Sequence, residues 1–81
     1  MKPAEARRLA TEKTAAELAD AIEKLGDEQP PPFPIAGDDE GEQLTNALLA
    51  QRIRERLDRG EDPKEAFRAV MGEVRAVVSN D

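Results

Sequence analysis

Apolar positions recur at helical spacing along three stretches of the chain, and a polar, proline-rich stretch separates the first from the other two. The last stretch is the clearest. With residues advancing by about 100° along a helix, Ala66, Phe67, Val70, Met71, Val74, Val77 and Val78 fall within an arc of about 140°, and Lys64, Glu65, Arg68, Gly72, Glu73 and Arg75 lie outside it. Asp62 precedes Pro63 and Glu65 follows, which puts an N-cap, a first-turn proline and a capping-box acid in register. A helix is expected from Pro63 onward, with a stripe that must be buried. Its other side carries Ala69, Gly72 and Ala76 and reads as a weakly solvated back.

The middle stretch predicts a helix over about 42–59, closed by Arg59 and Gly60 as a cationic last turn and a terminating glycine. Leu49, Ala50, Ile53 and Leu57 form one stripe, whereas Leu44 and Leu48 lie about 140° or more round the helix from the centre of that stripe. This helix has two apolar sides. The short connection Gly60-Glu61-Asp62 predicts that it forms an antiparallel helical hairpin with the last helix. The hairpin covers one side and leaves the other for the first helix or for another chain.

In the first stretch, Thr14-Ala15-Ala16-Glu17 is a capping-box pattern, and Ala15, Leu18, Ile22 and Leu25 share a face before Gly26 ends the helix. Pro3 can start a longer helix, but a continuous one projects Leu9 nearly opposite Leu18. Residues 1–10 are therefore expected to be helical and weakly anchored. Residues 67, 71, 74 and 78 follow alternating steps of four and three, too short a run for a coiled coil. The expected fold is all-α, with three helices in one domain: an N-terminal helix in 1–26, an acidic proline-rich linker in 27–41 and the helical hairpin in 42–81.

Length sharpens the expectation. A chain of 81 residues builds a small core, and with no Cys and no His it has neither disulfides nor the usual zinc ligands to reinforce it. Self-association is the remaining route. The hairpin is expected to dimerise into a four-helix-type core shared by two chains. Candidate partner or dimer contacts are Phe33, Ile35, Leu44, Leu48, Leu49, Ile53, Leu57, Phe67, Met71, Val74 and Val78.

The net charge of −6 is concentrated in one place. Residues 1–26 carry five basic and five acidic side chains and residues 44–81 carry seven of each, so Asp27, Glu28, Asp38, Asp39, Glu40 and Glu42 account for all of it. Like charges and Pro30, Pro31, Pro32 and Pro34 make 27–43 an extended, solvated segment. Phe33 and Ile35 are two apolar hooks within it, to be set either on the protein's own helices or on a partner chain. Pro31-Pro32-Phe33-Pro34 fits the P-x-x-P pattern, but no basic residue flanks it.

The residue types exclude much chemistry. Without His, Cys or Tyr, and with Ser79 close to the C-terminus, the usual nucleophile-and-base pairs cannot be assembled, so the expectation is a protein that is not an enzyme and carries no cofactor. Asp38 to Glu42 suggest calcium. An EF-hand register with Gly41 at its sixth position, however, puts Ala36 and Ala47 where acids are required, so no metal site is expected. A helix-turn-helix fares no better, because Glu61, Asp62 and Glu65 at the tip of the last helix would repel phosphates. Nucleic acid is not an expected partner. No apolar run approaches the ~20 residues needed to span a bilayer, and the N-terminal stretch lacks a signal-peptide core, so a cytoplasmic location is expected. These readings converge on a small non-enzymatic helical module for protein interaction or assembly. The alternative is a small dimeric transcriptional or antitoxin-like regulator.

Overall fold

The computed structural model of the chain describes residues 2–79, with side chains as far as Val74. Among the described residues it has four helices and no strand: α1 (Pro3–Glu12), α2 (Ala15–Gly26), α3 (Glu40–Asp58) and α4 (Pro63–Ser79). The all-α class holds. The count of three helices does not, because the first one is broken in two.

The break has a local cause. Thr14 takes an extended conformation, its hydroxyl accepts the N–H of Glu17 at 3.1 Å, and the Glu17 carboxylate accepts the N–H of Thr14 at 2.9 Å. This capping box starts α2 afresh. Lys13 is also extended, so α1 stops at Glu12 and the chain changes direction before α2. Leu9 and Leu18, on opposite sides of any continuous helix, are thereby both fully buried in one core.

The same break corrects the expectation that residues 1–10 are weakly anchored. Asn46 of α3 accepts the N–H of Lys2 at 2.9 Å, and Arg54 of α3 donates to the carbonyl of Ala10 at 3.0 Å. Each end of α1 is tied to α3. Ala6, Leu9 and Ala10 are fully buried between those ties.

Helix α3 is the hub, since α1, α2 and α4 each pack on it. The core joins Leu18, Leu25, Ile35, Leu49, Ile53 and Val70 to alanines 6, 10, 21, 47, 50 and 66, each alanine fully buried. Small side chains let helix backbones approach closely, and close-packed contact replaces the volume that larger residues would supply. Within one chain the four helices bury this core together. The molecule measures 32 × 31 × 17 Å, the shortest dimension being about two helix layers. One side of α3 consequently has no layer over it.

Two helix ends differ in detail from the sequence reading. Gly26 lies inside α2, and the left-handed residue is Glu28 with φ 61°, where the Gln29 N–H reaches the Lys24 carbonyl at 2.8 Å. Helix α3 begins at Glu40, with the Asp39 carboxylate accepting the Glu42 N–H at 2.8 Å. Helix α4 starts at Pro63, with Asp62 accepting the N–H of Lys64 at 3.1 Å.

Candidate functional site

The predicted contact residues separate by burial. Ile35, Leu49 and Ile53 belong to the chain's own core, and Phe33, Leu44, Leu57, Phe67, Met71 and Val74 are half-buried against it. The Val78 side chain lies outside the described residues. Leu48 stands apart at 42% exposure, the one exposed large apolar side chain among the described residues.

The linker is held in cis. Its residue Ile35 enters the core, and the Phe33 ring lies beneath the Lys13 ammonium at 4.6 Å. Between the hooks and α3, a set of polar groups grips the backbone. The Glu5 carboxylate accepts the Ala36 N–H at 2.8 Å and takes two bonds of 2.7 Å from the Arg8 guanidinium, which also reaches the Pro34 carbonyl at 3.3 Å. From the other side, the Asn46 amide donates to the Ala36 carbonyl at 2.8 Å. The Arg8 bonds are the largest influence holding Glu5 below the usual carboxylate range, and the Ala36 N–H adds to them against the effect of burial. Glu5 is therefore a carboxylate committed to structure, and the cleft it lines with Pro31, Phe33 and Gln43 is the seam where the linker docks.

Neither Glu5 nor Asn46 is among the candidates drawn from the sequence. Asn46 did leave a signal, since on a helical wheel it falls between Leu49, Ala50 and Ile53 on the apolar stripe of α3. A polar residue there must find partners, and the fully buried Asn46 finds two.

The uncovered side of α3 is a ridge of Gly41, Thr45, Leu48, Arg52, Glu55 and Arg59, all exposed and spaced three or four residues apart. Successive ridge residues are neighbours because that spacing completes about one helical turn. Beside the ridge, Arg56 bridges α3 to the following loop and to α4. Its guanidinium lies 3.1 Å from Glu61 and 3.5 Å from Glu73, and the Glu61 bond raises its pKa. Arg59 reaches Glu61 at 3.6 Å, while Arg52 makes no ion pair among the described residues.

Among the described residues no group of three or more acidic, His or Cys side chains could hold a metal, and no buried side-chain nitrogen or oxygen is left without a hydrogen bond. The buried polar groups are spent on the fold. No helix is long and apolar enough to cross a membrane among the described residues. The model of a family of unknown function, DUF6952, matches residues 1–79. No curated protein and no solved structure matches the chain.

Proposed function

For a chain that belongs to the DUF6952 family, a family of unknown function, we propose a non-enzymatic role as a helical module for protein interaction or assembly, working through the outer ridge of α3. The observation that carries this reading is Leu48, 42% exposed near the middle of α3 while the other large apolar side chains described are covered. A lone exposed leucine needs no explanation by itself. Leu48 is flanked by half-buried Leu44 and by the aliphatic stem of Arg52, and Arg is among the residues enriched where proteins meet.

A regulator that grips nucleic acid fits this surface poorly. Glu55 and Glu73 sit among the arginines, and the acidic start of α3 lies at one end of the ridge.

The test is photo-crosslinking in living cells, with a benzophenone amino acid placed at Leu48 or, as a control, at exposed Ala19 of α2. Adducts from position 48 and none from position 19 are expected. No adduct from position 48, whether with another protein or with a second copy, overturns the reading.

A further inference from the structure

We infer that the chain is a two-part module, residues 1–28 and 29–81, whose parts hold together without the covalent link between them, and that 26–30 is a processing site for an endopeptidase selective for acidic residues. This concerns the inner side of α3 and stands apart from the ridge. It comes from where the chain is open and from what lies on either side of the opening.

Residues 26–30 form the longest exposed run among the described residues. Their backbone bonds are local, since the N–H groups of Asp27, Glu28 and Gln29 reach only the carbonyls of Glu23, Lys24 and Leu25 in the last turn of α2. Glu28 is left-handed at φ 61°, the one non-glycine residue with positive φ among those described, and a side chain with a Cβ takes that conformation at a cost. An endopeptidase binds its substrate extended. Extending this turn relieves the strain at Glu28 and breaks no hydrogen bond to another element.

Other acidic stretches between helices are pinned. Asp39 caps α3 and Glu42 accepts the Asp38 N–H at 3.2 Å, while Asp62 caps α4 and Glu61 is held by Arg56 at 3.1 Å. The turn around Glu28 has no such grip.

What joins the two parts lies outside that turn. Helices α1 and α2 pack chiefly on α3, where Leu9, Leu18 and Leu25 share a core with Ala50 and Ile53. The bonds from Lys2 to Asn46, from Arg54 to Ala10 and from Ala36 to Glu5 cross between the parts as well. Neither part has that core alone. Hydrolysis adds water to the peptide bond between Glu28 and Gln29, leaving a carboxylate on one and an amino group on the other, both at exposed positions. The link serves to keep each part at a high effective concentration near the other, so after the cut, assembly depends on protein concentration. Residues 1–28 then become exchangeable between copies.

The full chain is digested under native conditions with a limiting amount of glutamyl endopeptidase, and the products are read by intact mass. Cleavage after Glu28 is expected about tenfold faster than at any other bond, because native-state cutting follows local opening. Asp27→Asn with Glu28→Gly should abolish the early cut, and glycine suits the left-handed position. With the enzyme inhibited, the cut chain should keep its helical circular dichroism at millimolar concentration. Its urea midpoint should rise with concentration, whereas that of the uncut chain should not. Mixed with isotope-labelled cut chain, it should form hybrids detectable by native mass spectrometry.

A first cut elsewhere, or one that Asp27→Asn with Glu28→Gly does not slow, overturns the processing site. Parts that separate or lose their helicity at millimolar concentration overturn the two-part module.

Discussion

Glu5 of α1 and Asn46 of α3 hold opposite sides of the same residue: the Glu5 carboxylate accepts the Ala36 N–H and the Asn46 amide donates to the Ala36 carbonyl, each at 2.8 Å. An extended, proline-rich segment has few internal hydrogen bonds, so its place must be fixed from outside. These two side chains do that, and they leave Ile35 positioned to enter the core.

Asn46 is fully buried and also receives the Lys2 N–H, so Asn46→Ala removes partners from two separate backbone groups and leaves a gap. A loss of about 2 kcal/mol is expected in urea unfolding. Asn46→Asp should cost more, since a carboxylate would face the Ala36 carbonyl with no hydrogen to donate.

The Glu5 carboxylate ties stability to acid. Its folded pKa lies below the ordinary value of 4.5, chiefly through Arg8, so its contribution is present above about pH 4.5 and is lost as pH falls through the folded pKa. Stability should decline as pH drops below 4.5. In Glu5→Gln the whole profile should sit lower at neutral pH and fall less steeply in acid, which chemical denaturation at a series of pH values measures directly.

Thr14 sets the break between α1 and α2, and Thr14→Ala should cost about 1 kcal/mol, the usual value of an N-cap. Exposed Thr11, whose hydroxyl only bonds back to α1 carbonyls, supplies the control. Thr11→Ala should stay within about 0.5 kcal/mol of the parent in the same thermal or urea measurement.

Two glycines should respond to alanine with opposite signs. A Cβ on Gly37 would come within 2.8 Å of the Gln43 Cγ and 2.9 Å of its backbone nitrogen, so the linker would have to shift off the start of α3. A loss of about 1–3 kcal/mol is expected. On exposed Gly72 in α4 a Cβ meets nothing within 4 Å, and Gly72→Ala should stabilise the chain by about 1 kcal/mol through helix propensity alone.

The sequence exposes the elements whose signals are local. Asp62-Pro63 marks the start of α4, and the stripe of Leu49, Ala50, Ile53 and Leu57 identifies the inner side of α3, because period and caps lie within a few adjacent residues. The fourth helix was hidden by a conflict rather than by silence. Leu9 and Leu18 could not share a face of one helix, and the capping box at Thr14 that resolves the conflict by a break reads equally well as the start of a single short helix. Ala6, Ala10 and Ala47 were hidden for another reason: alanine suits a helix surface as well as an interior, and only the packed neighbour decides. Of the candidate contacts, Leu48 could be recognised as lying on a second side of its helix, but whether α1 and α2 reach over it depends on tertiary placement. The pairing of Glu5 and Asn46 through Ala36 joins residues far apart in the chain and has no local pattern to reveal it.

The central claim is that four helices complete their core within one chain and leave the α3 ridge open. Urea unfolding of Leu48→Asp, followed by far-ultraviolet circular dichroism over a wide range of protein concentration, tests it most directly. The account predicts a cooperative transition from a fully helical monomer, with a midpoint independent of concentration and close to the parent's at the lowest concentration. Lost helicity, or a midpoint that rises with concentration, would contradict it and mean that Leu48 is part of a core this chain cannot close alone.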